Sequence, residues 1–243
     1  MRSVIAGLDV VTVQQTATVP PAGVVVLCHG FGAPGTDLVG LAEALCSVEP
    51  ALAPVRFHFP AAPLSLDAFG MGDARAWWMI DFDVIAKLRQ ASPQALAEFR
   101  KVEPPGMPAA RKAMLAMVAQ VMNGSGLPYS KLVLGGFSQG SMITTDVALR
   151  LEESPAALAI LSGTLLIEDV WKPKAKARAG LPVFQSHGRR DEVLPFSGAQ
   201  ALQQTLTEAG LEVDFHAFEG GHEIPLPVLR GLAAFLKARL KLG

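Results

Sequence analysis

Short apolar runs rich in Val, Ile, Leu and Phe alternate along this chain with longer stretches whose apolar residues recur every three to four positions. That alternation is the pattern of βαβ units: parallel strands buried on both faces read as continuous apolar runs, and the crossover helices between them read as amphipathic. Val4 to Val13 reads as one or two edge strands. Val24 to Cys28, Val55 to Phe59, Lys131 to Leu134, Ala157 to Leu161, Pro182 to Ser186 and Val213 to Phe218 read as further strands. The spacing predicts helices over Asp37 to Val48, where Leu38, Leu41, Ala42 and Leu45 share a face, and over Ala109 to Met122, Gln139 to Leu151, Ser197 to Ala209 and Pro225 to Leu240. The Lys- and Pro-rich stretch between Leu161 and Pro182 reads as a loop. Between Pro60 and Pro108 the periodicity lapses: Pro, Gly and aromatic residues come first, then a short helix over Ala95 to Val102, then the breaker Glu103-Pro104-Pro105-Gly106. The expected fold class is α/β, with a mostly parallel central sheet and helices on both faces.

Composition narrows the picture. With 243 residues, half of them apolar and 18% charged, and a mean hydropathy of +0.34, the chain buries a sizeable core. One domain over residues 1–243 is expected, with a cap-like irregular segment at 64–108. A net charge of −1 supplies no basic field for a phosphate backbone, so no nucleic-acid partner is expected. No uncharged apolar run approaches the ~18 residues of a membrane span; the longest, Ala156 to Ile167, is interrupted by Ser162 and Gly163. The apolar run between Arg2 and Asp9 is too short for a signal peptide. Cys28 and Cys46 sit in apolar contexts and read as two buried thiols, which fits the reducing cytoplasm.

Chemistry is expected where strands end, because loops leaving the carboxyl ends of a parallel sheet converge on one edge. Gly136-Phe137-Ser138-Gln139-Gly140 fits G-x-S-x-G, follows the strand at Lys131 to Leu134 and opens a helix. This is the setting of a nucleophile elbow, where a cramped turn holds a serine in strained dihedrals above a helix N-terminus. The bland alternative is a serine N-cap after a Gly-rich loop. A serine nucleophile needs a base, and in hydrolases with this elbow the order is Ser, then Asp or Glu, then His. His222, in Gly220-Gly221-His222-Glu223 after the last strand, fits that order. His58 and His216 lie within strands and read as structural; His29 and His187 end strands and read as loop-shaping residues. Asp191, in Ser186-His187-Gly188-Arg189-Arg190-Asp191, is the expected acid. Its neighbour Glu192 should point elsewhere. Asp169 is the competitor, one strand earlier, with an exposed carboxylate beside Lys172 and Lys174 as its alternative reading. Leu27-Cys28-His29-Gly30-Phe31-Gly32 occupies the position that supplies an oxyanion-hole amide, from Phe31, with Gln139 as the second donor.

Together the H-G-F-G turn, G-F-S-Q-G, S-H-G-R-R-D-E-V-L-P and G-G-H resemble the phospholipase/carboxylesterase group of α/β-hydrolases, which includes acyl-protein thioesterases and lysophospholipase-like bacterial esterases. Ala62-Pro63 and Arg75-Ala76-Trp77 resemble that family's A-P and R-A-W segments. The resemblance spans about Val24 to Leu240. It implies an α/β-hydrolase fold, a Ser138, Asp191 and His222 triad, oxyanion amides from Phe31 and Gln139, and hydrolysis of esters, thioesters or lysophospholipids through an acyl-enzyme, with a small-molecule ester as partner. Two departures stand out. Ser141 replaces a usual glycine, a change that tightens helix packing, and Asp81 to Pro108 looks longer than its counterpart.

Phe69, Met71, Trp77 and Trp78 form an apolar cluster, and Leu165 and Leu166 follow a strand end; these read either as an acyl groove or as a cap on the core. No metal is expected, since Asp81 and Asp83 lack accompanying ligands, and no cofactor is, since neither a G-x-G-x-x-G nor a P-loop lysine is present. Acyl transfer to an alcohol or peroxide uses the same residues. A non-catalytic binding module on this fold would normally have lost a triad member, and all three stand in order.

Overall fold

The computed structural model describes residues 1–17, 20–81, 94–95, 98 and 100–243. Eight strands form the central sheet in the order β1-β2-β4-β3-β7-β8-β9-β10. They are β1 (Arg2–Ile5), β2 (Leu8–Val13), β3 (Gly23–Cys28), β4 (Val55–Pro60), β7 (Leu132–Phe137), β8 (Ala157–Leu161), β9 (Pro182–Gly188) and β10 (Glu212–Phe218). Only β2 runs against its neighbours; β4, β3, β7, β8, β9 and β10 are parallel. The stretch read as one or two edge strands is therefore two.

Alternation along the buried strands feeds two cores. Val24, Val26 and Cys28 of β3 face one side, Val25 and Leu27 the other. The first side is covered by α2 (Met107–Ser125), α3 (Gln139–Ala148), α4 (Glu168–Lys176) and α5 (Phe196–Glu208), the second by α1 (Gly40–Val48) and α6 (Leu226–Leu240). This is the mostly parallel, doubly covered sheet expected. Cys28 and Cys46 are both buried and unpaired, in cores on opposite sides of the sheet.

Two elements depart from the sequence reading. The Lys- and Pro-rich stretch contains α4, whose charges suit a helix: Glu168 and Asp169 lie in its first turn, Lys174 and Lys176 in its last. Trp171 and Ala175, four residues apart, are its buried face, and Pro173 lies inside it. Within the irregular segment, β5 (Leu64–Ser65) and β6 (Arg75–Ala76) form a small antiparallel pair. The helix expected over Ala95 to Val102 lies partly outside the described residues; 94, 95 and 98 are helical.

His58, read as a structural histidine, is 6% exposed and meets the Thr12 hydroxyl through Nδ1 at 3.0 Å. Burial, reinforced by Arg56, lowers its pKa from 6.5 to about 4. Between those values the unfolded chain binds a proton that the folded chain refuses. The stability this neutral histidine contributes is therefore full above pH 6.5 and is lost as pH falls toward 4, on the order of 3 kcal/mol in all. Urea unfolding at pH 7.5 and pH 4.5 tests this. The His58→Gln variant is expected to lose less stability than wild type over that interval, and an equal loss in both proteins would remove His58 from the account.

Candidate active site

At the end of β7 the chain turns abruptly into α3 through Ser138, whose φ of 55° and ψ of −123° lie outside the regions a serine ordinarily occupies. Such a conformation costs on the order of 1–3 kcal/mol and persists only where the surroundings over-determine it. Here they do. The Ser138 amide donates to the Leu161 carbonyl at 2.8 Å, and the Ser138 carbonyl accepts from the Ser141 amide at 3.0 Å and the Ser141 hydroxyl at 2.7 Å. Ser141 thus closes the first turn of the helix with its own side chain. The turn also needs Gly140: a Cβ there would lie 2.0 Å from the Cys28 carbonyl oxygen, so β3 and α3 meet backbone to backbone.

The second component comes from loops after β9 and β10. His222 Nδ1 lies 2.6 Å from Asp191 Oδ2. A carboxylate accepts, so Nδ1 carries the proton and Nε2 is left as the ring's base. The imidazole lies tilted against the ring of Phe137, the residue before the strained serine, with centroids 4.7 Å apart. The Asp191 side chain is fully buried. Its other oxygen, Oδ1, accepts from the amides of Val193 and Leu194, both at 2.8 Å. Burial alone would raise the Asp191 pKa, but the hydrogen bonds from His222, Leu194 and Val193 outweigh it, and the group is held below the ordinary aspartate value. Asp169 lies exposed in the first turn of α4, and Glu192 is exposed.

A third component is the turn after β3. A Cβ on Gly30 would lie 3.2 Å from Ser138 Cβ, so this turn runs alongside the serine. Phe31 packs on Leu66, Ala74 and Ala76. Gln139 is the first residue of α3, where helix amides lack intrahelical partners.

A strained serine, a histidine tied to a buried carboxylate and a helix N-terminus converge at the carboxyl edge of the sheet. The phospholipase/carboxylesterase family model matches residues 10–240. The chain belongs to the phospholipase/carboxylesterase family. It is 34% identical to acyl-protein thioesterase 1 of Eremothecium gossypii over 221 residues, covering 88% of this chain and 87% of that one. It is similar in structure to esterase PE8, with a TM-score of 0.78, 25% identity, and coverage of 95% and 98% of the two chains. A carboxylesterase from Mesorhizobium loti shares the fold, with a TM-score of 0.72 at 19% identity over 96% and 95% of the chains. Like its relatives, this member of the family is a carboxylesterase-type hydrolase.

The segments that resemble the phospholipase/carboxylesterase family are joined to one another. His29 Nδ1 donates to the Gly30 carbonyl at 2.8 Å, and its Nε2 accepts from the Ala62 amide at 2.9 Å. Burial lowers the His29 pKa, as suits a ring that must keep one nitrogen bare. Arg75 donates from its guanidinium to the carbonyls of Ala62 and Pro63. Sequence reasoning assigned His29 to loop shaping, and that is its place.

Residues read as a possible acyl groove divide. Trp77, Trp78, Leu165 and Leu166 are buried in the core on the α2–α5 side, whereas Phe69 is 62% and Met71 43% exposed. Met71 reaches the turn after β3, its Cε 3.6 Å from where a Gly32 Cβ would stand.

His187, read with His29 as a loop-shaping residue, is fully buried, and its Nε2 donates to the Leu194 carbonyl at 2.9 Å in the loop after β9 while lying 3.3 Å from Asp191 Oδ2. One feature of this family member escaped the sequence. Asp146, fully buried on α3, receives Arg111, Arg150 Nε at 2.9 Å and the Trp171 indole at 2.9 Å, fastening α2 and α4 to the helix that begins at the serine. No local pattern announces partners so far apart.

Gly188 lets the loops after β9 and β10 close on each other. A Cβ there would sit 2.2 Å from the Gly221 carbonyl oxygen, next to His222. Gly188→Ala is therefore expected to push His222 out of register and lower kcat about 100-fold, the typical effect of a 1 Å misplacement, as measured by ester hydrolysis on folded protein. Unchanged kcat would show that the loop gives way without moving the imidazole.

Proposed function

We propose that the chain is a one-domain serine hydrolase that cleaves carboxylic esters and thioesters through an acyl-enzyme on Ser138. The observation that carries this reading is the 2.6 Å bond from His222 to the buried Asp191, which leaves Nε2 to act as the base for the strained elbow serine that follows Phe137, the ring His222 packs against. Ser138 Oγ attacks the acyl carbonyl as His222 Nε2 takes its proton. The Phe31 and Gln139 amides hold the oxyanion, and His222 returns the proton to the departing alcohol or thiol. Water, activated by the same imidazole, then releases the acid. The acyl-protein thioesterase name of relatives supports including thioesters. Two free buried thiols fit work in the reducing cytoplasm.

In this reading the acyl chain leaves the serine past Met71 and Phe69, with Trp77, Trp78, Leu165 and Leu166 as the wall behind. Each buried methylene contributes about 0.8 kcal/mol, roughly fourfold in kcat/KM per carbon until the groove ends. A graded series of aryl esters and acyl thioesters tests both parts. The wild type is expected to prefer longer chains, and Met71→Ala and Phe69→Ala to flatten the profile while leaving acetyl ester turnover within about threefold. A wild-type profile flat from acetyl upward would overturn the groove.

A further inference from the structure

Residue 139 contributes more than an amide. Its side chain is 1% exposed: Oε1 accepts from the Trp77 amide at 2.9 Å, and Nε2 donates to the Trp78 carbonyl at 2.8 Å. The segment it grips, residues 75–78, is fastened at its other side to the turn after β3. The Gly32 amide donates to the Arg75 carbonyl at 2.9 Å, the Arg75 amide donates to Ala33 at 3.1 Å, and the Trp77 indole N–H donates to the His29 carbonyl at 2.9 Å. Phe31 lies between His29 and Gly32. One short stretch of chain is therefore hydrogen-bonded both to the turn that carries one candidate oxyanion donor and to the side chain of the residue that carries the other.

Resting on the reading of Ser138 as nucleophile, we infer that residues 75–78 are a spacer that sets the separation of the two oxyanion amides, and that the Gln139 side chain is the positioning residue anchoring it. The two amides come from different loops: the pairing of Cys28 with Gly136 and the backbone contact at Gly140 bring those loops together, but the turn beyond Cys28 must still be held to the fraction of an ångström an oxyanion hole requires. The spacer does so with buried bonds at both ends. Its effect is specific to the transition state, because the amides must fit the oxyanion more closely than the ground-state carbonyl.

Two variants loosen the spacer at opposite ends. Gln139→Met keeps length and apolar bulk but removes both bonds to Trp77 and Trp78; Trp77→Phe keeps an aromatic ring but removes the indole bond to His29. On an acetyl ester, with active sites counted by fluorophosphonate titration, each is expected to lower kcat about 10- to 100-fold with KM within about threefold. Affinity for a trifluoromethyl ketone, whose adduct carries an oxyanion, should fall in parallel. The double variant should be no worse than about the weaker single variant, since both cut one connection. A role confined to stability would lower the melting temperature and the titrated fraction but leave kcat per titrated site unchanged, and that result in either folded variant would overturn the inference. If Gln139→Met does not fold, Trp77→Phe decides alone. Absence of wild-type labelling at Ser138 would instead count against the nucleophile, so the two failures are distinguishable.

Discussion

Ser138→Ala, His222→Ala and the double variant are each expected to fall to the same residual rate, about 10⁶-fold below wild-type kcat. The two side chains act as one unit. A hydroxyl without a base beside it is a poor nucleophile, and a base without the hydroxyl has no positioned proton to take. Losses that simply added would require the two residues to act independently, which the placement of His222 on Phe137, adjacent to Ser138, does not support. Residual activity should survive, because oxyanion donors and substrate binding remain in all three proteins. The measurement is kcat for one activated ester, with folding checked by circular dichroism. A Ser138→Ala protein retaining more than about a hundredth of wild-type kcat would contradict the assignment.

Asp191→Asn is expected to cost about 10⁴-fold in kcat, while Asp169→Asn stays within about twofold. The reason lies in which atoms face which. The amides of Val193 and Leu194 both donate to Oδ1. In the variant they would hold the amide oxygen at that position and turn the NH₂ group toward His222. Nδ1 would then have to accept, the proton would move to Nε2, and the ring would lose the lone pair that takes the serine proton. Asp169 stands in solvent in the first turn of α4. If Asp169→Asn proved the more damaging change, the acid would lie one strand earlier than the hydrogen bonding at Asp191 supports.

What the sequence made legible was what local chemistry dictates. Strands buried on both faces announce themselves as unbroken apolar runs, and a serine between Gly136 and Gly140 at a strand end announces a turn in which backbones nearly touch. Order along the chain then selects Asp191 and His222 from five histidines and several carboxylates. The misses share a cause as well. Helix α4 was hidden because Pro173 and its lysines resemble loop composition, while the evidence for a helix, Trp171 and Ala175 facing the core, depends on tertiary burial. The apolar cluster at 69–78 was ambiguous because a groove and a core attract the same side chains, and only exposure separates Phe69 and Met71 from Trp77 and Trp78. The Gln139 side-chain bonds join residues 62 and 61 positions apart, and those of Asp146 to Arg111 and Trp171 span 35 and 25. Contacts of that range leave no periodic trace.

The most direct test of Ser138 as nucleophile is chemical. Wild-type protein is treated with a fluorophosphonate, digested and mapped by mass spectrometry, alongside Ser138→Ala and Asp191→Asn. The expected result is a single adduct on the peptide containing Ser138, absent from Ser138→Ala and forming far more slowly in Asp191→Asn. An adduct on another serine, or an active wild-type enzyme that takes up no phosphonate at Ser138, would contradict it.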